Sequence, residues 1–339
     1  SVVTGTWVSE SYAPLRERES QRASDARAWY EGVTSQPTLL GRRLARCFTL
    51  RGTPSEYEAE VAKETYLKLT EGVKDFINQT NLERFLMIIK SAGFTSPKLI
   101  RSKNTLNFAY IMYLKLKDLG VQAALIESMV RRWYVMSVLT QRYTSSPESQ
   151  FDFDVKRIKD YNIFVENEIS TNLTDIFWTR ELLDRLETPV ASSPYYNVYI
   201  ASQIHSNDKA LFSRDVKIAQ LVEHRGDIHH IFPREYLKRN GYNQSKYNQI
   251  ANYTYMQSEI NIKIGMKSPK EYFGELLSQI NNKQKGYSGI LNKDELIVNL
   301  KDNCISEDIF NLEISDFDTF LKIRRKNMAL KIKNYFNSL

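Results

Sequence analysis

The sequence contains few cysteines. Cys47 and Cys304 are the only two, and they lie far apart in the chain without a C-x-x-C pair. This pattern excludes a disulfide framework and argues against a structural zinc site, which would normally recruit nearby cysteines. Two isolated cysteines are typical of a protein in a reducing compartment, so we expect the protein to be cytoplasmic.

Long apolar runs are also missing. No stretch of about 18 apolar residues occurs, and we therefore expect no membrane-spanning helix. The start of the chain lacks the charged segment and the apolar core that together mark a signal peptide. It also lacks an initiator methionine, and we expect the sequence to be a processed or truncated piece of a longer chain.

The composition is that of a globular protein with a basic excess. Of the 339 residues, 42% are hydrophobic, and the net charge is +7. Such a chain supports two domains, and its charge is compatible with nucleic acid but not specific for it. Basic residues gather near the C-terminus, where they would either neutralise phosphates or form a solvated helix face. These residues are Lys322, Arg324, Arg325, Lys326, Lys331 and Lys333.

The apolar pattern predicts a mainly α fold. Apolar residues recur at helical spacing over about 81–91, 104–119 and 121–142. The third of these segments carries Trp133 on its apolar stripe, which indicates core packing. The run Ser192-Ser193-Pro194 is the best linker in the chain. We therefore predict a helical bundle domain over residues 1–190 and a second helical domain over residues 191–339.

The second predicted domain holds an unusual concentration of histidine. All four histidines lie in or just before residues 223–273. Alternation predicts a strand over Asp227 to Ile231 and a second strand over Asn252 to Met256. Pairing the strands antiparallel would gather imidazoles and amides around one small cleft, where they could hold a divalent ion and leave one imidazole free as a base. The gathered residues would be His229, His230, Asn252 and Asn261.

A pair of adjacent histidines does not by itself indicate catalysis. Taken alone, His229 and His230 would more often be structural or exposed than catalytic. Zinc proteolysis is a poor alternative, because the sequence has no H-E-x-x-H motif.

The run His229-His230-Ile231-Phe232-Pro233, with Asn252 and then Asn261 nine residues later, resembles the HNH (His-Me finger) nucleases. That resemblance implies a ββα-metal finger within the second domain, with His230 as the general base and Asn252 bracing the loop that carries it. It also implies that His229 and Asn261 bind one divalent metal ion. Asp227, on the same strand face as His229, would orient the metal ligands.

Position 229 departs from the aspartate that is common in the family. Because an imidazole suits transition metals better than a carboxylate does, Mn, Co, Ni or Zn are expected alongside Mg.

The resemblance extends over nearly the whole chain. The segment RRWYVMSVLTQRYTSSPESQFDFDVKRI (residues 131–158) and the C-terminal segment FLKIRRKNMALKIKNYFNSL resemble GmrSD-type modification-dependent restriction endonucleases. In that family a ParB-like, NTP-using domain precedes the helices and the HNH domain. Its D-G-Q-Q-R-type motif is absent from this sequence, so that domain would be a partner located upstream of this chain.

The resemblance thus implies a metal-dependent DNA endonuclease that restricts foreign, modified phage DNA. We expect Arg234, Lys263 and Lys267 to contact the DNA. Two other interpretations stay open: a non-catalytic DNA- or protein-binding helical module with a structural finger, and an RNA-directed nuclease. The oligomeric state is also open.

Overall fold

The computed structural model describes residues 67, 70–223, 228–282, 284, 286 and 288–339. By its internal contacts the chain divides into two compact units, Ser1–Met87 and Ile88–Leu339. The second unit contains all three stretches that carry the resemblance, residues 131–158, 229–261 and 320–339. The domain boundary predicted between residues 190 and 191 falls inside this unit, and it stays a prediction.

The described part of the chain is mainly α-helical, as the apolar pattern predicted. Among the described residues the one sheet has two short strands. In chain order the elements are α1 (Gln79–Ser91), α2 (Lys103–Asp118), α3 (Ala123–Thr140), α4 (Pro147–Arg157), α5 (Tyr161–Asn172), α6 (Leu182–Arg185), α7 (Pro194–His205), α8 (Ile218–Glu223), β1 (Ile228–His230), α9 (Arg234–Arg239), α10 (Gln244–Tyr247), β2 (Tyr253–Tyr255), α11 (Ser258–Ile264), α12 (Pro269–Asn281), α13 (Lys293–Asp302) and α14 (Phe317–Asn337).

Single-turn helices and a π-helical turn complete the described structure. The 3₁₀ turns span Pro97–Leu99, Ile158–Asp160, Ile250–Asn252, Glu307–Phe310 and Ile314–Asp316, and the π turn spans Phe177–Glu181. No helix in the described part of the chain combines the length and the apolar character that a bilayer crossing requires.

Helices α2, α3 and α7 form the centre of the second unit. Helix α2 begins where the Ser102 side chain accepts a hydrogen bond from the Thr105 backbone N–H, and it ends before Gly120, whose φ is 70°. Trp133 on α3 is fully buried, as its position on the apolar stripe predicted. Helix α7 packs against both α3 and α14, so its residues from Tyr195 to Ile204 are all buried.

A buried ion pair holds α4 and α5 against the end of α3. The Arg142 guanidinium donates to both Asp154 carboxylate oxygens, at 2.8 and 2.6 Å, and also pairs with Glu168 at 2.8 Å. Tyr143 donates its hydroxyl hydrogen to Asp154 at 2.7 Å. Because the Asp154 charge is buried, losing Arg142 would leave it uncompensated.

The C-terminal helix supports the two-stranded sheet through a buried arginine. Arg324 on α14 is 1% exposed, and its Nη1 donates to the carbonyl oxygens of Ala251 and Tyr253 at 2.8 and 2.7 Å. Its Nε and Nη2 donate to the Asn303 carbonyl oxygen at 3.3 and 3.2 Å. The expectation that this residue belongs to a basic face is therefore wrong. Arg325, also buried, pairs with Glu187.

Candidate functional site

The two predicted strands form an antiparallel ribbon, although each is shorter than expected. Strand β1 pairs with β2 in the register Ile228 to Tyr255, His229 to Thr254 and His230 to Tyr253. Since side chains alternate along a strand, His229 and His230 lie on opposite faces of the ribbon, so pairing the strands does not by itself gather both imidazoles in one cleft as expected. His229 is 8% exposed, whereas His230 is half-buried.

His230 is oriented by an amide that the sequence did not single out. Its Nε2 lies 3.0 Å from Asn248 Oδ1, and its ring packs edge-on against Tyr253, with centroids 5.1 Å apart. An amide oxygen only accepts hydrogen bonds, so the ring proton belongs on Nε2. The Nδ1 lone pair is then available to accept a proton.

The surroundings of His230 favour its neutral form. Burial lowers the pKa of His230 below its ordinary value, and its electrostatic interactions with Arg234 and His229 lower it further. The hydrogen bond with Asn248 opposes this shift. With a lowered pKa, the imidazole is neutral at physiological pH and competent to act as a base.

Asn252 braces the loop that follows His230. It is fully buried, and its Oδ1 accepts from the Phe232 backbone N–H at 2.8 Å. Its Nδ2 donates to the carbonyl oxygens of Phe232 and Tyr247 at 3.1 and 3.2 Å. The Tyr272 hydroxyl adds a bond to the Ile231 carbonyl at 2.7 Å. These hydrogen bonds hold the loop that follows β1 and fix where the strand ends.

The predicted metal ligands lie on separate elements. His229 is on β1, and Asn261 is half-buried on α11, the helix that follows β2. An imidazole nitrogen and an amide oxygen are neutral donors whose chemistry fits a transition-metal ion. Among the described residues, no group of three or more His, Cys, Asp or Glu side chains is placed to hold a metal. Asn261 is of none of these types, and the predicted supporting residue Asp227 lies outside the described residues.

The predicted DNA-binding residues differ in how far their charge is compensated. Arg234 begins α9 with its side chain 56% exposed, and its Nε lies 3.1 Å from Glu235. Lys263 is exposed on α11. Lys267 pairs with Glu275 at 2.6 Å. Exposed pairs are weak and exchange readily with a stronger anion, so a phosphate could replace either glutamate.

Sequence reasoning missed Asn248 because the segment between the strands is rich in asparagine. Asn240, Asn243, Asn248 and Asn252 all occur there, and spacing alone gives no reason to prefer Asn248. Asn243 caps α10, and Asn240 contacts the Tyr236 carbonyl. Only the path of the chain between the strands shows which amide reaches His230.

The comparisons with known proteins find a distant relative, but they do not identify an activity. No protein-family model matches the chain, and no solved structure matches it. The chain is 29% identical over 221 residues to an uncharacterized protein of Methanocaldococcus jannaschii, MJ0686. The match covers 60% of this chain and 36% of the archaeal protein.

Proposed function

We propose that this chain is a metal-dependent DNA endonuclease whose β1, β2 and α11 form an HNH-type ββα finger. The observation that carries the proposal is the setting of His230: its Nε2 lies 3.0 Å from the Asn248 amide oxygen, which assigns the ring proton to Nε2 and leaves the Nδ1 lone pair unprotonated, and its pKa is lowered. A neutral, oriented imidazole on a ribbon braced by Asn252 is what general-base activation of water requires.

The proposed step is hydrolysis of a phosphodiester bond. His230 Nδ1 removes a proton from water while the water oxygen forms a bond to phosphorus. The bond from phosphorus to the 3′-oxygen breaks, and that oxygen takes a proton from solvent. The products carry a 5′-phosphate and a 3′-hydroxyl, and the His230 imidazolium returns its proton to solvent.

The chain's other residues would bind and orient the substrate. Arg234 is exposed at the start of α9, four residues after His230, and would bind a phosphate beside the base. Lys263, exposed on α11, would contact a neighbouring phosphate. His229 and Asn261 would hold the divalent ion, which when bound supplies positive charge to the phosphate and the leaving oxygen.

The resemblance to modification-dependent restriction enzymes supports a biological role. We propose that the full-length protein restricts foreign, modified phage DNA and that an upstream NTP-using domain controls the nuclease. The chain spans only 36% of the length of its archaeal relative, which itself is uncharacterized.

The test incubates the chain with supercoiled plasmid, single-stranded DNA and structured RNA, each with Mg²⁺, Mn²⁺ or EDTA. Nicking of DNA that needs a divalent ion and leaves 5′-phosphate ends supports the proposal. Preferential cleavage of RNA would show that RNA, and not DNA, is the substrate. Binding of DNA without cleavage, for this chain and for one that includes its upstream domain with nucleotide, would indicate a non-catalytic module.

A further inference from the structure

A basic surface follows strand β1 directly. Residues 231–252, which join β1 to β2, include four lysine and arginine residues and a single acidic residue, Glu235. The other exposed residues of this segment mostly carry amides or hydroxyls, and Lys246 pairs with the exposed Asp318 at 3.6 Å. A cationic surface with polar neighbours suits a polyanion better than an apolar partner. The exposed cationic residues are Arg234, Lys238, Arg239 and Lys246.

One anionic oxygen bridges two of these cations. Arg234 Nε and Lys238 Nζ both donate to Glu235 Oε1, at 3.1 and 3.0 Å. Arg234 and Lys238 lie four residues apart on α9 and therefore share a helix face, where two like charges would otherwise repel each other. All three side chains are between 42% and 56% exposed. The two cations thus form a solvent-accessible site for one anionic oxygen, and the protein fills it with its own carboxylate.

This site lies beside the proposed catalytic base. Lys238 Nζ is 5.9 Å from the centre of the Tyr247 ring, and that ring packs edge-on against His230, with centroids 6.2 Å apart. Lys238 is therefore one aromatic ring away from the imidazole. Arg234, the other cation of the site, begins α9 four residues after His230. A polyanion bound at His230 would reach both cations.

We infer that Glu235 occupies a phosphate-binding site and that a phosphate of bound DNA displaces its carboxylate from Arg234 and Lys238. The inference rests on the proposed nuclease function, which supplies the substrate. Exposed ion pairs are weak, whereas an arginine can bind a phosphate through two parallel hydrogen bonds, so the exchange favours the phosphate. Glu235 then acts as an internal counter-ion that lowers the affinity for DNA. A polyanion overcomes it by contacting Arg239 and Lys246 as well.

Fluorescence anisotropy of a labelled DNA duplex with the 339-residue chain tests the inference, in EDTA so that metal-dependent cleavage does not interfere. Glu235→Gln keeps the size of the side chain and removes its charge, so it should bind DNA about three- to tenfold more tightly than the wild type. Glu166→Gln is the matched control. It removes the same charge from α5, where Glu166 pairs with Arg132, and should leave the affinity for DNA unchanged.

The salt dependence of binding gives a second readout. Arg234→Ala/Lys238→Ala should weaken DNA binding about tenfold or more, and it should lower the slope of log affinity against log salt concentration by about two, because each lost phosphate contact lowers it by about one. Lys156→Ala/Lys159→Ala removes the same charge at exposed positions on α4 and in the turn that follows. It should keep the wild-type slope.

Several results would overturn the inference. These are wild-type or weaker DNA affinity of Glu235→Gln, equal tightening by Glu166→Gln, an unchanged salt slope in Arg234→Ala/Lys238→Ala, and lack of DNA binding by the wild type. Cleavage assays with Mg²⁺ or Mn²⁺ separate this outcome from the proposed function. Tighter binding by Glu235→Gln without any cleavage would support the phosphate site and contradict the nuclease. Cleavage by the wild type with no gain of affinity in Glu235→Gln would do the reverse.

Discussion

His230 Nε2 and Asn248 Oδ1 lie 3.0 Å apart, although 18 residues separate them in the chain. This contact decides which nitrogen of the ring carries the proton and which one is available as a base. It exists because Asn252 ties the loop after β1 to the end of α10 through Phe232 and Tyr247. The chemistry proposed for His230 therefore depends on the two asparagines together.

Two substitutions of Asn248 should shift the pH dependence of cleavage in opposite directions. Asn248→Ala removes the hydrogen bond that raises the pKa of His230, so the acid limb of the rate profile should move to lower pH. Its plateau rate should fall about 10–100-fold, because the ring is no longer held in one tautomer. Asn248→Asp places a negative charge beside the ring and should move the acid limb to higher pH. Single-turnover cleavage across pH measures both effects.

Asn240→Ala is the matched control for these variants. Asn240 lies in the same segment, is exposed, and donates its side-chain hydrogen bond to the Tyr236 carbonyl. It should keep the wild-type profile. Shifts of the acid limb in the same direction for both Asn248 variants would contradict the proposal that Asn248 positions the His230 ring.

If His230 is the base, the wild-type protein should lose cleavage activity at acid pH. Burial and the electrostatic interactions with Arg234 and His229 lower the pKa of His230, so its neutral form persists below its ordinary pKa. The rate should therefore fall as pH drops through a midpoint below about 6.5. Titration of the His230 ring by NMR should give the same midpoint. A midpoint above the ordinary value would contradict the proposed environment of the base.

Asn252 should matter for stability as well as activity. Asn252→Ala leaves the Phe232 N–H and the carbonyls of Phe232 and Tyr247 without their present partner in a buried place. We expect a loss of about 2–4 kcal/mol in the free energy of unfolding, measured by urea denaturation. Asn261→Ala, at a half-buried position on α11, should change it by only about 0.5 kcal/mol. Equal stability of the two variants would show that Asn252 does not brace the loop.

Arg324 provides a test of the support beneath the ribbon. Arg324→Met keeps much of the side-chain volume but removes every hydrogen bond to Ala251, Tyr253 and Asn303. The free energy of unfolding should fall by about 2–5 kcal/mol in denaturant melts. Lys326→Met, an exposed position on the same helix, should change it by about 0.5 kcal/mol. Similar small changes for both variants would mean that the hydrogen bonds of Arg324 contribute little to the stability of the fold.

The sequence predicted those parts of the fold that follow from local patterns. The apolar stripe through Trp133 predicted α3 and its burial, and the alternation after Asn252 predicted β2. The charge pattern gave the wrong prediction for the exposure of Arg324, because a basic residue in a basic segment is normally exposed. Its burial depends on carbonyl groups more than twenty residues away in the chain. Asn248 was missed for the same reason, since its role depends on a long-range contact.

The measurement that tests the central claim most directly is single-turnover cleavage of duplex DNA by wild type, His230→Ala and His205→Ala. His205 lies outside the ribbon, contacts the Ser91 carbonyl and Tyr335, and controls for loss of an imidazole. We predict that His230→Ala lowers the rate by about 10²–10⁴-fold with an unchanged melting temperature, while His205→Ala cleaves at close to the wild-type rate. Cleavage by His230→Ala at a rate close to that of the wild type would contradict the assignment of His230 as the base.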